Sequence, residues 1–378
     1  MKANRVTLWI ILASATLTVM AGSILAPVLN LIREGLGVGT ASAGLIITTH
    51  ALFVALFSPL IGSIIDKIGA KKPFIFGLVL YGAAGGSGLF ITSYWVLIIS
   101  RALLGIGVAA VLNSITVMIL NLYTGEERNK IMGRRGSANT FGGIIWPLIG
   151  GILGGFSWHL PFAVYFVGIP LGFCALITVP EIHRELKESS GPVLKVFREN
   201  PILFVIYSLF FLVMALVYSI VVFLPPLLGE MSISNPVYIS LFIIIMSFSA
   251  GVTSFMYGRI KSKLSYRMIV LIVLALWTVA FTTISQGSSG LVIAAAVALF
   301  GIGGGMISPA VMVWAGETVA ISFRGRIVSY LATFGYIGQF MSPVIFGPVA
   351  VQGLTGVFLA GGGVCAVLLV LGLISMRR

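Results

Sequence analysis

The stretch Gly62-Ser-Ile-Ile-Asp66-Lys67-Ile-Gly69-Ala-Lys71-Lys72 is a short polar interruption between two long apolar runs, 41–63 and 73–92. Three cations lie within six residues, Gly69 permits a tight turn, and Asp66 offers a carboxylate at a helix end. Runs of about twenty apolar residues on either side read as membrane-spanning helices. The cations fit a loop anchored among lipid headgroups. A related stretch, Gly258-Arg-Ile-Lys-Ser262-Lys263, recurs 196 residues later, with Ser262 where the acid would be.

The same punctuation runs through the whole chain. Of 378 residues, 58% are apolar and 9% charged, and the mean hydropathy is +1.12. Soluble domains carry about 25% charged residues, so a cytosolic enzyme, a disordered chain and a disulfide-framework secreted protein are excluded. Twelve apolar runs of helical length are expected at about 6–29, 41–63, 73–92, 95–120, 137–157, 160–180, 202–228, 237–257, 267–286, 289–314, 327–350 and 354–376. The first run is longer than a signal-peptide core and lacks a clear small-residue cleavage site, so it is read as a retained span.

With the N-terminus inside, 21 of the 23 cations fall in inner segments, including Lys2, Arg5, Arg128, Lys130, Arg134, Arg135, Arg184, Lys187, Lys195, Arg198, Arg377 and Arg378. Arg33 alone is in an outer loop, and Arg101 is inside a span. Cationic loops are retained on the cytoplasmic side. The net charge of +13 therefore reports topology, with both termini cytoplasmic, and nucleic-acid binding is not indicated. Cys174 and Cys365 fall in spans and suit packing better than a disulfide.

The offset of 196 residues links four regions. Gly62 falls on Gly258, Gly105 and Gly107 on Gly301 and Gly303, and Arg128 and Lys130 on Arg324 and Arg326. Gly142, Pro147 and Gly151 fall on Gly338, Pro343 and Gly347. The expected organisation is all-α: a six-helix bundle over 1–180, a cytoplasmic linker over 181–200 with eight charges, and a second six-helix bundle over 201–378. Repeat-built transporters bind substrate between their halves and expose it alternately to either side. The sequence has no G-x-x-x-x-G-K-(S/T) phosphate loop, no H-E-x-x-H and no metal constellation. Secondary transport without a cofactor or metal, rather than an enzyme, is the default reading.

The Gly62–Lys72 loop resembles the G-x-x-x-D-(R/K)-x-G-(R/K)-(R/K) signature of the major facilitator superfamily. The resemblance implies twelve helices in two pseudo-symmetric bundles and a gating latch formed by Gly62, Asp66, Gly69, Lys71 and Lys72. In that family the acid faces the start of helix 11, where a helix dipole favours it. Arg101-Ala-Leu-Leu-Gly105-Ile-Gly107 is similar to the family's R-x-x-x-G-x-G element. Arg101 is open to three placements: snorkelling outward, pairing with backbone carbonyls, or lining a wet cavity where it binds an anion or acts on a neighbouring acid. Gly142-Gly143-Ile-Ile-Trp146-Pro147-Leu-Ile-Gly150-Gly151 looks like the antiporter motif of the drug/proton exporter branch, with Trp146 where that motif has Gly. Trp158-His159-Leu-Pro161-Phe162 resembles the segment that starts helix 6 in those exporters.

No acid lies in the middle of a span; Asp66 and Glu317 are at inner helix ends. Many proton-coupled relatives carry an embedded carboxylate, and this chain does not. Its absence also argues against a cavity tuned to cations. His50 is the titratable group within a span: either it carries a proton, or it is a neutral side chain bonded to Thr48, Thr49 or a carbonyl. Glu317 and Asp66 are the further candidates for proton exchange. Small polar groups expected to face a mostly apolar cavity include Ser14, Thr16, Thr18, Asn113, Ser114, Thr116, Tyr207, Tyr218 and Ser219.

The reading is therefore an exporter of an amphiphilic small organic compound, a multidrug-efflux type of antiporter driven by protons and working by alternating access. Compact loops suit a prokaryotic plasma membrane, and the family carries the expectation of a monomer. One alternative is a dedicated carrier, uniporter, symporter or importer, for an anionic metabolite recognised through Arg101. Another is a transport-inactive receptor or assembly factor on the same fold.

Overall fold

The computed structural model describes residues 5–181, 193–287 and 289–376. Lys2, Arg184, Glu185, Lys187, Glu188, Arg377, Arg378 and most of the expected linker lie outside the described residues. Each of the twelve expected spans coincides with helix. They are α1 (Arg5–Ser23), α2 (Thr40–Ile68), α3 (Lys71–Ser87), α4 (Tyr94–Leu122), α5 (Gly125–Gly154), α6 (Leu160–Thr178), α7 (Ile202–Glu230), α8 (Pro236–Phe255), α9 (Tyr266–Gln286), α10 (Gly290–Glu317), α11 (Ile321–Ala350) and α12 (Leu354–Met376). No strand occurs among the described residues.

Among the described residues, nine helices are long and apolar enough to cross a membrane on those grounds alone. The others are α3, with 17 residues, and α5 and α11, whose runs are diluted by glycine and by charged first turns. Large apolar side chains face outward, among them Phe255 at 92% exposure and Ile177 at 85%. In water such a surface would be a liability; in lipid it is the solvated face.

Helix ends depart from the apolar runs for identifiable reasons. The first run breaks after Ser23 into a 3-10 turn, Ala26–Val28, and a second helix, Leu29–Leu36. Pro27 lacks the N–H that a continuous helix would use there. Within α6, Val164–Val167 is 3-10, ahead of Pro170, which leaves the carbonyl four residues back without its helical donor. Helix α5 begins twelve residues before its apolar run, because the charged turns from Gly125 stay helical.

The repeat is visible in the helix starts. Thr40 and Pro236, Tyr94 and Gly290, and Gly125 and Ile321 are each separated by the sequence offset of 196. The chain forms two compact units. One comprises 1–188 with 235–240, and the other 189–234 with 241–378.

Within the first unit α4 packs on α2 and α3, and α1 packs on α5. Within the second, α7 packs on α11 and α9 on α10 and α12. Glycine sets the closest approaches. A Cβ on Gly105 would lie 2.3 Å from the His50 carbonyl oxygen, and one on Gly301 would lie 2.3 Å from that of Met246. His50 and Met246 are themselves 196 residues apart, so the contact is repeated along with the sequence. A Cβ on Gly62 would meet nothing within 4 Å, so no helix of the first unit approaches closely there.

Candidate functional site

The antiporter-like motif of α5 builds a seam with α1 and the 3-10 turn that follows it. A Cβ on Gly142 would meet Thr16, one on Gly150 would lie 1.9 Å from the Ile24 carbonyl oxygen, and one on Gly154 would strike Val28. The stagger between partners is constant, so the two helices run in parallel and touch backbone to backbone. Trp146, the departure from the motif, donates its indole N–H to the Thr16 carbonyl at 3.0 Å. Pro147, Gly150 and Gly151 are buried, and Gly143 is half-buried.

Below Thr16, towards the basic ends, the same two helices part around a cavity of about 1040 Å³. One face of α1 lines it with Arg5, Leu8, Trp9, Leu12, Ala13 and Thr16; one face of α5 lines it with Arg134, Ser137, Ala138 and Phe141. The spacings are those of single helical faces. Trp9 is 68% and Phe141 60% exposed. From Arg5 to Thr16 the α1 wall rises about 16 Å. Small-molecule sites have this character, apolar and aromatic with a few polar groups.

Arg101 is 0% exposed. Its guanidinium donates to the Gly85 carbonyl at 2.8 Å, the Ala84 carbonyl at 3.4 Å and the Ser100 hydroxyl at 3.1 Å. Its central carbon lies 5.0 Å from the centroids of both Phe162 and Tyr165. Of the three placements open from sequence, the structure displays carbonyl pairing. Two further guanidinium nitrogens, Nε and Nη1, carry no hydrogen bond, and the flanking rings supply the remaining cationic stabilisation. Tyr165 and Tyr81, which the sequence reading passed over, tie this cluster to α1 by donating to Ala21 and Leu17 carbonyls at 2.9 and 2.8 Å.

The second half fills the same place differently. The offset sets Val297 opposite Arg101, Phe281 opposite Gly85, Phe358 opposite Phe162 and Gly361 opposite Tyr165. A Cβ on Gly85 would strike the Tyr165 ring, and a Cβ on Gly361 would strike the Phe281 ring. The large ring comes from α6 in one half and from α9 in the other.

His50 is 3% exposed on the α2 face that meets α4, and the Arg101 charge acts on it electrostatically. Thr18 is half-buried and donates to the Ala15 carbonyl at 2.7 Å. Asn113 donates to the Ala109 carbonyl at 2.9 Å. Tyr218 lies near Tyr336. Asp66 and Lys71 are half-buried and Lys72 is exposed. Gly69 has φ of +84°, a conformation only glycine adopts readily. Glu317 is exposed and accepts a hydrogen bond from Tyr266, whose ring stacks on Trp314 and lies under the Lys261 ammonium. Past the end of α8, burial and the Glu317 carboxylate raise the Tyr257 phenol above its ordinary range. Partial burial holds His159 below its ordinary value. No cluster able to hold a metal occurs among the described residues.

A duplicated all-helical membrane bundle enclosing an apolar cavity has the architecture of a repeat-built carrier. The chain belongs to the Major Facilitator Superfamily, whose family model matches residues 11–343. It is similar to a bacillibactin exporter of Bacillus subtilis, 23% identical, covering 89% of this chain and 88% of that one. It is 26% identical, over the same shares, to the multi-drug resistance efflux pump PmrA of Streptococcus pneumoniae. Among solved structures it resembles the nucleoside transporter NupG, with a TM-score of 0.83 and 14% identity, covering 99% of this chain and all of that one. The protein is a multi-pass membrane transporter of this superfamily with bacterial relatives.

Proposed function

We propose that this transporter exports an amphiphilic organic compound from the cytoplasm of a prokaryotic cell across its plasma membrane, against an inward flow of protons. The observation that carries the reading is the cavity between α1 and α5, apolar and aromatic in its walls and open below a glycine-sealed seam. Relatives over most of the chain are named as exporters, which supports the direction. Both termini are cytoplasmic and the protein works as a monomer by alternating access. Gly62, Asp66, Gly69, Lys71 and Lys72 form the gating latch, and His50, Asp66 and Glu317 are the groups from which the coupling proton is drawn. A carrier recognising its substrate through Arg101 is not favoured, because that guanidinium is encased by carbonyls and rings.

The test is accumulation of a panel of fluorescent amphiphiles in efflux-deficient cells making this protein, with and without an uncoupler. Lowered accumulation that the uncoupler abolishes is the expected outcome. Accumulation unchanged across the whole panel would sink broad export. Lowered accumulation indifferent to the uncoupler would sink proton coupling alone.

A further inference from the structure

We propose that the compound held in the α1–α5 cavity is an organic anion, an aromatic or apolar body bearing a carboxylate, sulfonate or similar group that Arg5 and Arg134 bind together. The inference deepens the exporter reading and rests on it only for treating this cavity as the transport site.

Charge carries the argument. The charged side chains lining the cavity are two arginines, one from each wall, both at its basic end. No carboxylate among the described residues lines it. Neither arginine makes a salt bridge or a side-chain hydrogen bond to protein among the described residues, and both are exposed. Their neighbours on α5 are engaged: Arg128 donates to the Tyr123 carbonyl at 2.9 Å, and Arg135 to the Thr116 hydroxyl at 3.0 Å. Glu127 and Arg134 both act electrostatically on Tyr123, yet no ion pair joins the two among the described residues. Arg134 therefore lines the cavity without an ion pair among the described residues.

The guanidinium geometry fixes the ligand class. Planar forks match carboxylate and sulfonate oxygens in paired hydrogen bonds, which a compact ammonium cannot do. Trp9 and Phe141 stand on the same two faces, one helical turn above Arg5 and two above Arg134, with most of their ring surface uncovered. They present flat apolar area to the body of a molecule whose anionic end is at the arginines. A cationic drug would meet two like charges at the mouth and no acid among the described residues of the walls.

Two dyes with one ring system and opposite charge decide the matter: fluorescein, an anion, and rhodamine 6G, a cation. Binding of each is measured by fluorescence anisotropy to the full chain in nanodiscs of zwitterionic lipid. Fluorescein is expected to bind at least tenfold more tightly than rhodamine 6G, with an advantage that shrinks as salt screens the arginines. The double variant Arg5→Gln, Arg134→Gln should lose tenfold or more for fluorescein and little for rhodamine 6G. Arg134→Glu should reverse the preference, and Arg134→Lys, which keeps the charge but not the fork, should keep its sign while losing severalfold in fluorescein affinity. Should the double variant fail to fold, the wild-type salt titration and Arg134→Lys still decide. Rhodamine 6G bound as tightly as fluorescein, or fluorescein affinity unmoved in the double variant, overturns the proposal. Fluorescein bound through the arginines but never moved in proton-energised inverted vesicles would sink the exporter reading and leave this one standing. Transport of rhodamine 6G without fluorescein binding would do the reverse.

Discussion

Tyr165 of α6 serves Arg101 of α4 with its ring and α1 with its hydroxyl: the guanidinium carbon lies 5.0 Å from the ring centroid while the phenol donates to the Ala21 carbonyl at 2.9 Å. Gly85 makes this possible twice over. Its missing side chain admits the ring, and its carbonyl accepts from Arg101 at 2.8 Å. Helices α1, α3, α4 and α6 are thereby joined around one buried charge.

Truncating that charge should act on stability. Arg101→Ala opens a cavity and removes the guanidinium donor from the Gly85 carbonyl, while Ser87 and Ser100 still donate to that of Ala84, so a loss of about 2–5 kcal/mol is expected, the range for large buried side chains cut to Ala. Thermal unfolding in detergent checks it. A variant as stable as wild type with altered dye selectivity would instead place Arg101 in recognition.

The two ends of α5 should respond oppositely to alanine. Gly150→Ala drives a Cβ into the Ile24 carbonyl, and overpacking of this kind costs about 1–3 kcal/mol. Gly136→Ala meets nothing within 4 Å and should be neutral or stabilising by about 0.5–1 kcal/mol, the ordinary helical gain. Melting temperatures of the two variants, with transport measured alongside, give the comparison.

At the end of α2, Gly69 after the helix and Gly62 within it separate a backbone requirement from a packing one. Gly69→Ala must hold φ near +84° and should cost about 1–3 kcal/mol. Gly62→Ala, helical and with free space, should be neutral or stabilising by about 0.5–1 kcal/mol. Equal losses at both positions would mean that this helix end packs more tightly than this conformation displays.

Phe281 and Gly361 form a size pair that a double-mutant cycle can read. Gly361→Tyr alone collides with the Phe281 ring; joined with Phe281→Gly, the collision is relieved. A coupling of about 0.5–3 kcal/mol is expected for residues in contact, and additivity within error would sink the pairing.

The spans, the asymmetry of cations and the 196-residue offset were legible because each rests on composition or spacing, which survive without coordinates. The starts of α5 and α11 were not. Hydropathy reports what lipid covers, while hydrogen bonding carries the helix on into charged residues such as Arg128 and Lys130. Arg101 was recognised as costly, but its acceptors are backbone carbonyls of Ala84 and Gly85, and backbone groups have no residue signature. The glycines of α5 announced close packing without naming α1 as partner. Arg5 and Arg134 were read only as topology markers; Arg134, Ser137, Ala138 and Phe141 already share one helical face, and only the position of α1 turns that face into a wall.

The exchanged rings have an evolutionary consequence. A duplicated bundle begins as two interchangeable parts, and a crossover between its halves would at first be harmless. Once Gly85 and Tyr165 stood against Phe281 and Gly361, that freedom ended. A graft carrying α9 into the place of α3 would set Phe281 against Tyr165, ring upon ring, and the reciprocal graft would leave a hole beside Gly361. Each ring is thus matched to the glycine of its own half, and an exchange of helices between the halves would have to carry both partners at once.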